Sequence, residues 1–243
     1  MNGLLGAVAQ NAIFVVEFLG IVVLLFLVGY FFEKYQNKKN NVTERILSTR
    51  KVAMIGMLSA VATVLMLLEF PVPFAPPFYK MDLSELPVLI GSFAFGPVTG
   101  VMVEFCKIIL KLLFKSTSTA FVGELANFSV GCSFILPASI LYYLKKDKKH
   151  ALVGCLVGTL IMTIFGTSFN GIYLLPKFAE LFGMPLEAII GMGTAINSNI
   201  VSVTSFVCLA VAPLNLIKGT TVSIITLLIY KKISPILKEG HRS

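Results

Sequence analysis

The sequence predicts an all-α polytopic membrane protein, a core of six helices preceded by one additional N-terminal transmembrane helix. Three observations carry this reading. Of the 243 residues, 56% are hydrophobic and only 13% are charged, whereas soluble domains carry about 25% charged residues. Several apolar runs reach the ~18–20 residues that a helix needs to cross a bilayer. The lysines and arginines, 20 in all against 12 acidic residues, gather in the polar stretches between those runs, as they do in cytoplasmic loops.

Taken in order, the first apolar run covers residues 4–32. It has no basic residue ahead of it, and basic residues follow it, so it reads as a retained anchor and not as a cleaved signal peptide. Glu17 lies inside it and reads as an accommodation to a neighbouring helix or to the lipid interface. The segments divide the chain into the extra helix (1–33), a basic linker (34–51), a six-helix core (52–234) and a tail (235–243). Core helices are expected at about 52–70, 83–95, 97–114, 122–144, 151–175 and 196–230, the last with a bend near Pro213.

Between the first two core helices stands FPVPFAPPF, with four prolines in seven residues (Pro71, Pro73, Pro76, Pro77). Proline fixes φ and lacks an N–H, so this stretch cannot be a regular helix. It reads as a stiff loop folded over a small-molecule site at one membrane face, followed by the acidic pair Asp82 and Glu85. The linker, the KKDKKH turn and the C-terminal stretch from Lys231 onward together hold 14 of the 20 basic residues. With six core helices all three fall on one side, the cytoplasmic one by the positive-inside rule. That places the C-terminus inside, the N-terminus outside, and the proline loop on the outer face. The basic excess is therefore topology, and no nucleic-acid partner is expected.

The polar residues within apolar runs are the candidate site. Lys218 follows Asn215 by three residues in PLNLIKG, and a lysine at bilayer depth costs ~2.5–3.5 kcal/mol on insertion scales. The preferred reading is a ligand-facing Asn/Lys pair; snorkelling to an interface is the alternative. Glu124 and Asn127 share a face in GELANF, and Asn170 and Tyr173 share one in FNGIYLLP. Each alone is more often an interhelical hydrogen bond. Together they sit at the outer ends of several helices, beneath the proline loop. Glu104, Lys107 and Lys111 form one stripe, most simply a paired one turned into the bundle. In the first core helix, Ala53, Gly56 and Ala60 make a small-residue face of the kind that lets another helix approach closely.

Several chemistries are excluded. Cys106, Cys132, Cys155 and Cys208 lie singly in apolar runs, and only His150 and His241 offer imidazoles, so neither a metal site nor a resident cofactor is expected. No GxSxG turn supports an intramembrane enzyme. No Walker A loop is present, so the chain cannot power transport itself.

The run from Arg50 to Ser234 resembles the substrate-binding S components of energy-coupling-factor (ECF) vitamin transporters, and within them the riboflavin-specific branch. The resemblance rests on FPVPFAPPF, DLSELPVLIGSFAFGPVTG, ELANF, FNGIYLLP and PLNLIKG in that order. It implies a subunit that captures riboflavin outside and delivers it inward with a membrane coupling subunit and two ATPases. It implies that the face of Ala53, Gly56 and Ala60 docks on the coupling subunit, with Gly56 where the family has alanine. It also implies ligand contacts at Tyr79 and its neighbours Lys80, Met81 and Asp82, and at Asn127, Asn170, Asn215 and Lys218. Glu124 and Tyr173 join that candidate set from their helix faces. Another vitamin or a flavin nucleotide (FMN) is the alternative ligand. The first fifty residues depart from the family pattern.

Overall fold

In a computed structural model the described residues are 12–41, 45–117, 119 and 121–238. Residues 4–11 of the expected N-terminal run therefore lie outside them. Helix α1 (Ala12–Lys39) continues past residue 32. Helix α2 (Thr49–Leu67) opens on Ser48, whose side chain accepts from the Lys51 N–H at 3.4 Å. The proline stretch follows as a minimal antiparallel hairpin, β1 (Phe70–Pro71) against β2 (Lys80–Met81), with Phe70 opposite Met81. Then come α3 (Glu85–Phe95), α4 (Pro97–Phe114), α5 (Val122–Lys145) and α6 (Lys148–Phe169).

Between the fifth and sixth expected core helices the chain is also largely helical. A π-helical turn (Asn170–Leu174) carries α6 straight into α7 (Leu175–Phe182), and α8 (Leu186–Thr194) lies beyond it. The last region begins at Val203 and not at 196. Helix α9 (Val203–Phe206) passes through a second π-turn (Val207–Val211) into α10 (Ala212–Lys238). The bend expected at Pro213 is that second π-turn. Both wide turns end just ahead of a proline, Pro176 or Pro213. Proline offers no N–H and its ring crowds the carbonyl four residues back, and the wide turn relieves both faults.

Among the described residues, five helical stretches are long and apolar enough to cross a membrane: Val15–Lys39, Thr49–Leu67, Val122–Lys145, Lys148–Phe182 and Val203–Tyr230. They surround α3 and α4. Helix α3 has only 11 residues, yet Val88, Leu89, Ile90 and Phe93 are all buried, packed between α2, α4, α5 and α10. Outward-facing side chains such as Val23, Phe31, Leu156, Ile164 and Leu228 are exposed and apolar, as a lipid-facing surface requires. Helices α5 and α6 approach closely because Gly154 and Gly158 rest on the backbone of Ala138 and Phe134.

Helix α1 packs on α4 and α5, with Phe18 edge-on to Phe128 at 5.6 Å between centroids. Its C-terminal end is pinned by one carboxylate. Glu33 Oε1 accepts the Val98 N–H at 2.9 Å in the first turn of α4, and Oε2 lies 3.4 Å from Lys51 Nζ. The α3–α4 junction makes room for it through Gly96, at φ 115°, where an added Cβ would strike the Glu33 carboxylate. An L side chain there is strained and also displaces a helix cap. Gly96→Ala should therefore destabilise the protein by about 1–3 kcal/mol, read as a lower thermal midpoint in detergent. Glu33→Gln, which keeps the cap and loses only the Lys51 pair, should cost less.

Candidate functional site

The hairpin covers a cavity of about 140 Å³ bounded by α3, α5, the π-turn after α6, α7 and α10. Its roof is aromatic. Phe78 and Tyr79 lie 4.8 Å apart, Tyr79 faces Phe206 at 6.0 Å and Phe78 faces Phe178 at 6.2 Å. The Tyr79 hydroxyl donates to Asn170 Oδ1 at 2.7 Å, which fastens the hairpin to the π-turn. Burial pushes the Tyr79 phenol well above its ordinary value, so it remains a neutral donor.

Six of the residues singled out in the sequence line this cavity: Tyr79, Lys80, Asn127, Asn170, Asn215 and Lys218. Three are amides from three separate segments. Asn127 donates to the Gly123 carbonyl at 3.0 Å, and Asn170 to the Gly166 carbonyl at 2.7 Å. Asn215 reaches toward α6 where Gly166 leaves space, since a Cβ there would meet its Nδ2 at 2.6 Å. That Nδ2 is buried and makes no hydrogen bond.

Four others stand outside the lining. Met81 packs among the apolar side chains under the hairpin. Asp82 lies beneath the cavity, bound to Lys218. Glu124 is taken up by Lys111 at 2.9 Å and by the hydroxyls of Thr117 and Thr119 at 3.0 and 3.2 Å. Tyr173 faces away, into a cleft against α1 that it shares with Glu17, Gly20, Leu125 and Phe169. Sequence reading left out Phe78, Phe178, Met162 and, above all, Glu85 from the lining. Glu85 carried a signal, since it follows Asp82 by three residues and a buried lysine elsewhere needs a carboxylate.

The floor of the site is a ladder of buried charge. Lys218 Nζ lies 3.2 Å from Asp82 Oδ2 and 2.9 Å from Glu85 Oε2; Lys107 Nζ lies 3.1 Å from Glu85 Oε1 and 2.8 Å from Glu104 Oε1. Lys107 also donates to Ser84 Oγ at 2.9 Å. Lys218 thus does not snorkel: its side chain is 12% exposed and bridges two carboxylates. Lys107 and Glu104 are fully buried, so the stripe on α4 is the paired, inward-facing one. The hairpin is held at its rim as well, where Glu69 accepts Lys80 at 2.8 Å and Lys115 at 2.9 Å.

The face of Ala53, Gly56 and Ala60 is exposed along α2, and Gly56 has nothing within 4 Å of where a Cβ would stand. Helix α1 packs elsewhere, on α4 and α5.

Residues 50–230 match the family model for the ECF transporter, substrate-specific component. The chain belongs to this family. It is a multi-pass membrane protein and a transporter component, not an enzyme. The riboflavin transporter RibU of Staphylococcus aureus (strain TCH60) is 35% identical over 190 residues, 78% of this chain and 93% of the relative. The riboflavin transporter FmnP of Bacillus subtilis (strain 168) is 31% identical over 194 residues, 79% and 96% of the two chains. A solved structure described as the S component of a bacterial ECF transporter superposes with a TM-score of 0.60 at 35% identity, covering 77% of this chain and 97% of that one. Helix α1 precedes the matched residues.

Burial raises the Asp82 carboxyl, but the ammonium groups of Lys218 and Lys107, together with the Ser84 hydrogen bonds, outweigh it and hold it below the usual aspartate range. A depressed carboxyl stabilises the fold above its unfolded value, and the contribution is lost as pH falls through the folded value. The thermal midpoint should therefore be level from pH 8 to about pH 5 and fall only below the ordinary aspartate value near 4. In Asp82→Asn the midpoint should be lower at neutral pH and its acid limb shallower.

Proposed function

We propose that this chain is the riboflavin-binding subunit of an ECF transporter, capturing the vitamin at the outer face and releasing it inward. The observation that supports it most is the lining itself: three amides from three segments beneath an aromatic roof, in a family whose similar members are named riboflavin transporters. Riboflavin has a flat tricyclic ring and a neutral polyhydroxyl chain. Burying ~200–300 Å² of ring at ~25 cal/mol per Å² contributes about 5–8 kcal/mol. Amides answer the ring carbonyls and chain hydroxyls, each net hydrogen bond adding ~1 kcal/mol.

The cavity, at about 140 Å³, is smaller than the roughly 300–1,000 Å³ of ligand pockets. Admitting the ring requires the hairpin to lift, which breaks the Tyr79–Asn170 hydrogen bond and spares the charge ladder below. Transport then depends on an ATP-driven module of a membrane coupling subunit and two ATPases, because this chain has no phosphate-binding loop. The exposed face of Ala53, Gly56 and Ala60 on α2 is the proposed seat of the coupling subunit. The lysine clusters that end α1, join α5 to α6 and close α10 support cytoplasmic placement of the C-terminus and an outward-facing hairpin.

Protein purified in detergent and denatured should release a yellow flavin chromophore near one equivalent per chain. A colourless protein that also fails to quench added riboflavin would sink the reading. Asn170→Ala and Asn215→Ala should each weaken riboflavin binding by about tenfold to a hundredfold, the ~1–3 kcal/mol of a buried group left unpaired. Gly56→Leu should leave binding intact and abolish co-purification with the coupling subunit; equal loss of both would show a folding defect instead.

A further inference from the structure

Between Ala12 and Phe32, α1 carries a single charged residue, Glu17. Its side chain is exposed and makes no hydrogen bond or ion pair with another described residue. An ionisable group in an apolar span is costly and marks a site by default. Glu17 precedes Glu33 by 16 residues, ~24 Å of helix at ~1.5 Å per residue, against a hydrocarbon core of ~30 Å. With Glu33 and the lysines after it at one boundary, Glu17 lies about one turn inside the other, within reach of a lipid headgroup.

Glu17 lines a cleft of about 410 Å³ between α1 and the end of α6, and this cleft has a polar end and an apolar body. Glu17 and the Tyr173 hydroxyl share the polar end. Lys177 stands near enough for its charge to act on Glu17, yet its ion pair is with Glu180 at 2.7 Å. Away from that end, Gly20, Ile21 and Leu24 form one wall. On the other, Phe169 and then Phe165 continue a stack begun by Tyr173, with centroids 5.4 and 5.3 Å apart. Leu125 is the floor, and Gly20 keeps the trough open, with nothing within 4 Å of where a Cβ would stand.

We propose that this cleft binds a phospholipid with a primary-amine headgroup, such as phosphatidylethanolamine, its ammonium on Glu17 and one acyl chain along the aromatic stack. The apolar trough runs about two turns of helix, ~10 Å, and suits the upper part of a single chain. A primary ammonium brings three N–H donors to the carboxylate, whereas a trimethylated one brings none and a glycerol headgroup brings no positive charge. The phosphate beside the ammonium is answered by the Tyr173 hydroxyl and by Lys177. The Lys177–Glu180 pair is exposed, and such pairs contribute little, so the lysine is redirected at small cost. An anionic lipid is opposed, because Glu17 and Glu180 outnumber Lys177 at the polar end. The carboxylate and one wall come from α1, so the site belongs to the helix that precedes the family match.

The test is native mass spectrometry of the full-length protein, stripped of lipid in detergent. It is then offered phosphatidylethanolamine, phosphatidylcholine or phosphatidylglycerol with identical acyl chains. The wild type should retain about one phosphatidylethanolamine per chain, at least about tenfold more tightly than either of the others, as one charge-assisted hydrogen bond allows. Glu17→Gln should erase that preference, and Gly20→Leu, which fills the trough, should lower retention of all three lipids. Equal retention of the three by the wild type, a preference for phosphatidylglycerol, or an unchanged preference in Glu17→Gln would each overturn the proposal. Should Glu17→Gln lower the thermal midpoint of the stripped protein, the wild-type preference alone decides. None of these residues lines the cavity under the hairpin, so both variants should bind riboflavin as the wild type does. Failure of the wild type to bind flavin would count against the riboflavin reading alone.

Discussion

The structure depends on the pairing of five buried charges, Asp82, Lys218, Glu85, Lys107 and Glu104. Each would be prohibitive alone inside a bundle this apolar, and breaking a buried pair by removing one partner typically costs 3–5 kcal/mol. Their positions matter more than their sum. Asp82 closes the hairpin, Glu85 opens α3, Glu104 and Lys107 sit in α4, and Lys218 comes from α10. Electrostatic satisfaction therefore holds four separate parts of the chain at one point directly under the cavity. Local sequence does not do this, since the Asp82–Lys218 contact spans 136 residues. A fold that leaves these groups paired has no alternative register for α3 or α10, because a shift of one residue exposes a charge to hydrocarbon.

On that fixed floor the walls are shaped by backbone exceptions. Prolines at 176 and 213 each force a wide turn just upstream, and the two wide turns lie at the C-terminal end of α6 and the N-terminal end of α10. Asn170 begins the first, and Asn215 follows the second by one turn of helix. A regular α-helix would aim both amides about a fraction of a turn elsewhere. The site is built from what helices tolerate badly: proline, wide turns and buried amides. Its roof differs again. The hairpin has only two paired rungs and is held by the Tyr79–Asn170 hydrogen bond and by Glu69 at its rim, while Asp82 ties its end to the floor.

How much of this was legible follows from which interactions are local. The all-α membrane class, the core helix positions and the paired character of the α4 stripe follow from apolar run length and helical spacing. Asn127, Asn170, Asn215 and Lys218 stood out because polar side chains inside apolar runs need a partner, whereas Tyr79, in the proline loop, came in through the family resemblance alone. The helical character of the 175–194 segment did not stand out, since Pro176 and Pro185 read as loop signals although a proline is equally at home in a helix's first turn or just before it. Glu85 and Asp82 were visible as an acidic pair, but nothing local says which of the two lines the cavity and which lies beneath. That depends on the angle at which α3 leaves the hairpin, a tertiary fact. Tyr173 lies off the cavity lining for a similar reason: the π-turn rotates it off the face it would share with Asn170 in a regular helix.

Helix α1 lies outside the residues that match the family, and its placement argues for consolidation over obstruction. It uses one carboxylate, Glu33, to complete the first turn of α4, and it covers α4 and α5 with apolar side chains. Those are the helices that carry Glu104, Lys107 and Asn127. Helix α2 keeps its small-residue face bare. The extra span thus stiffens the static side of the bundle, where the charges are fixed. It leaves uncovered the hairpin above the cavity and the small-residue face along α2, the two parts on which the proposed transport cycle would draw.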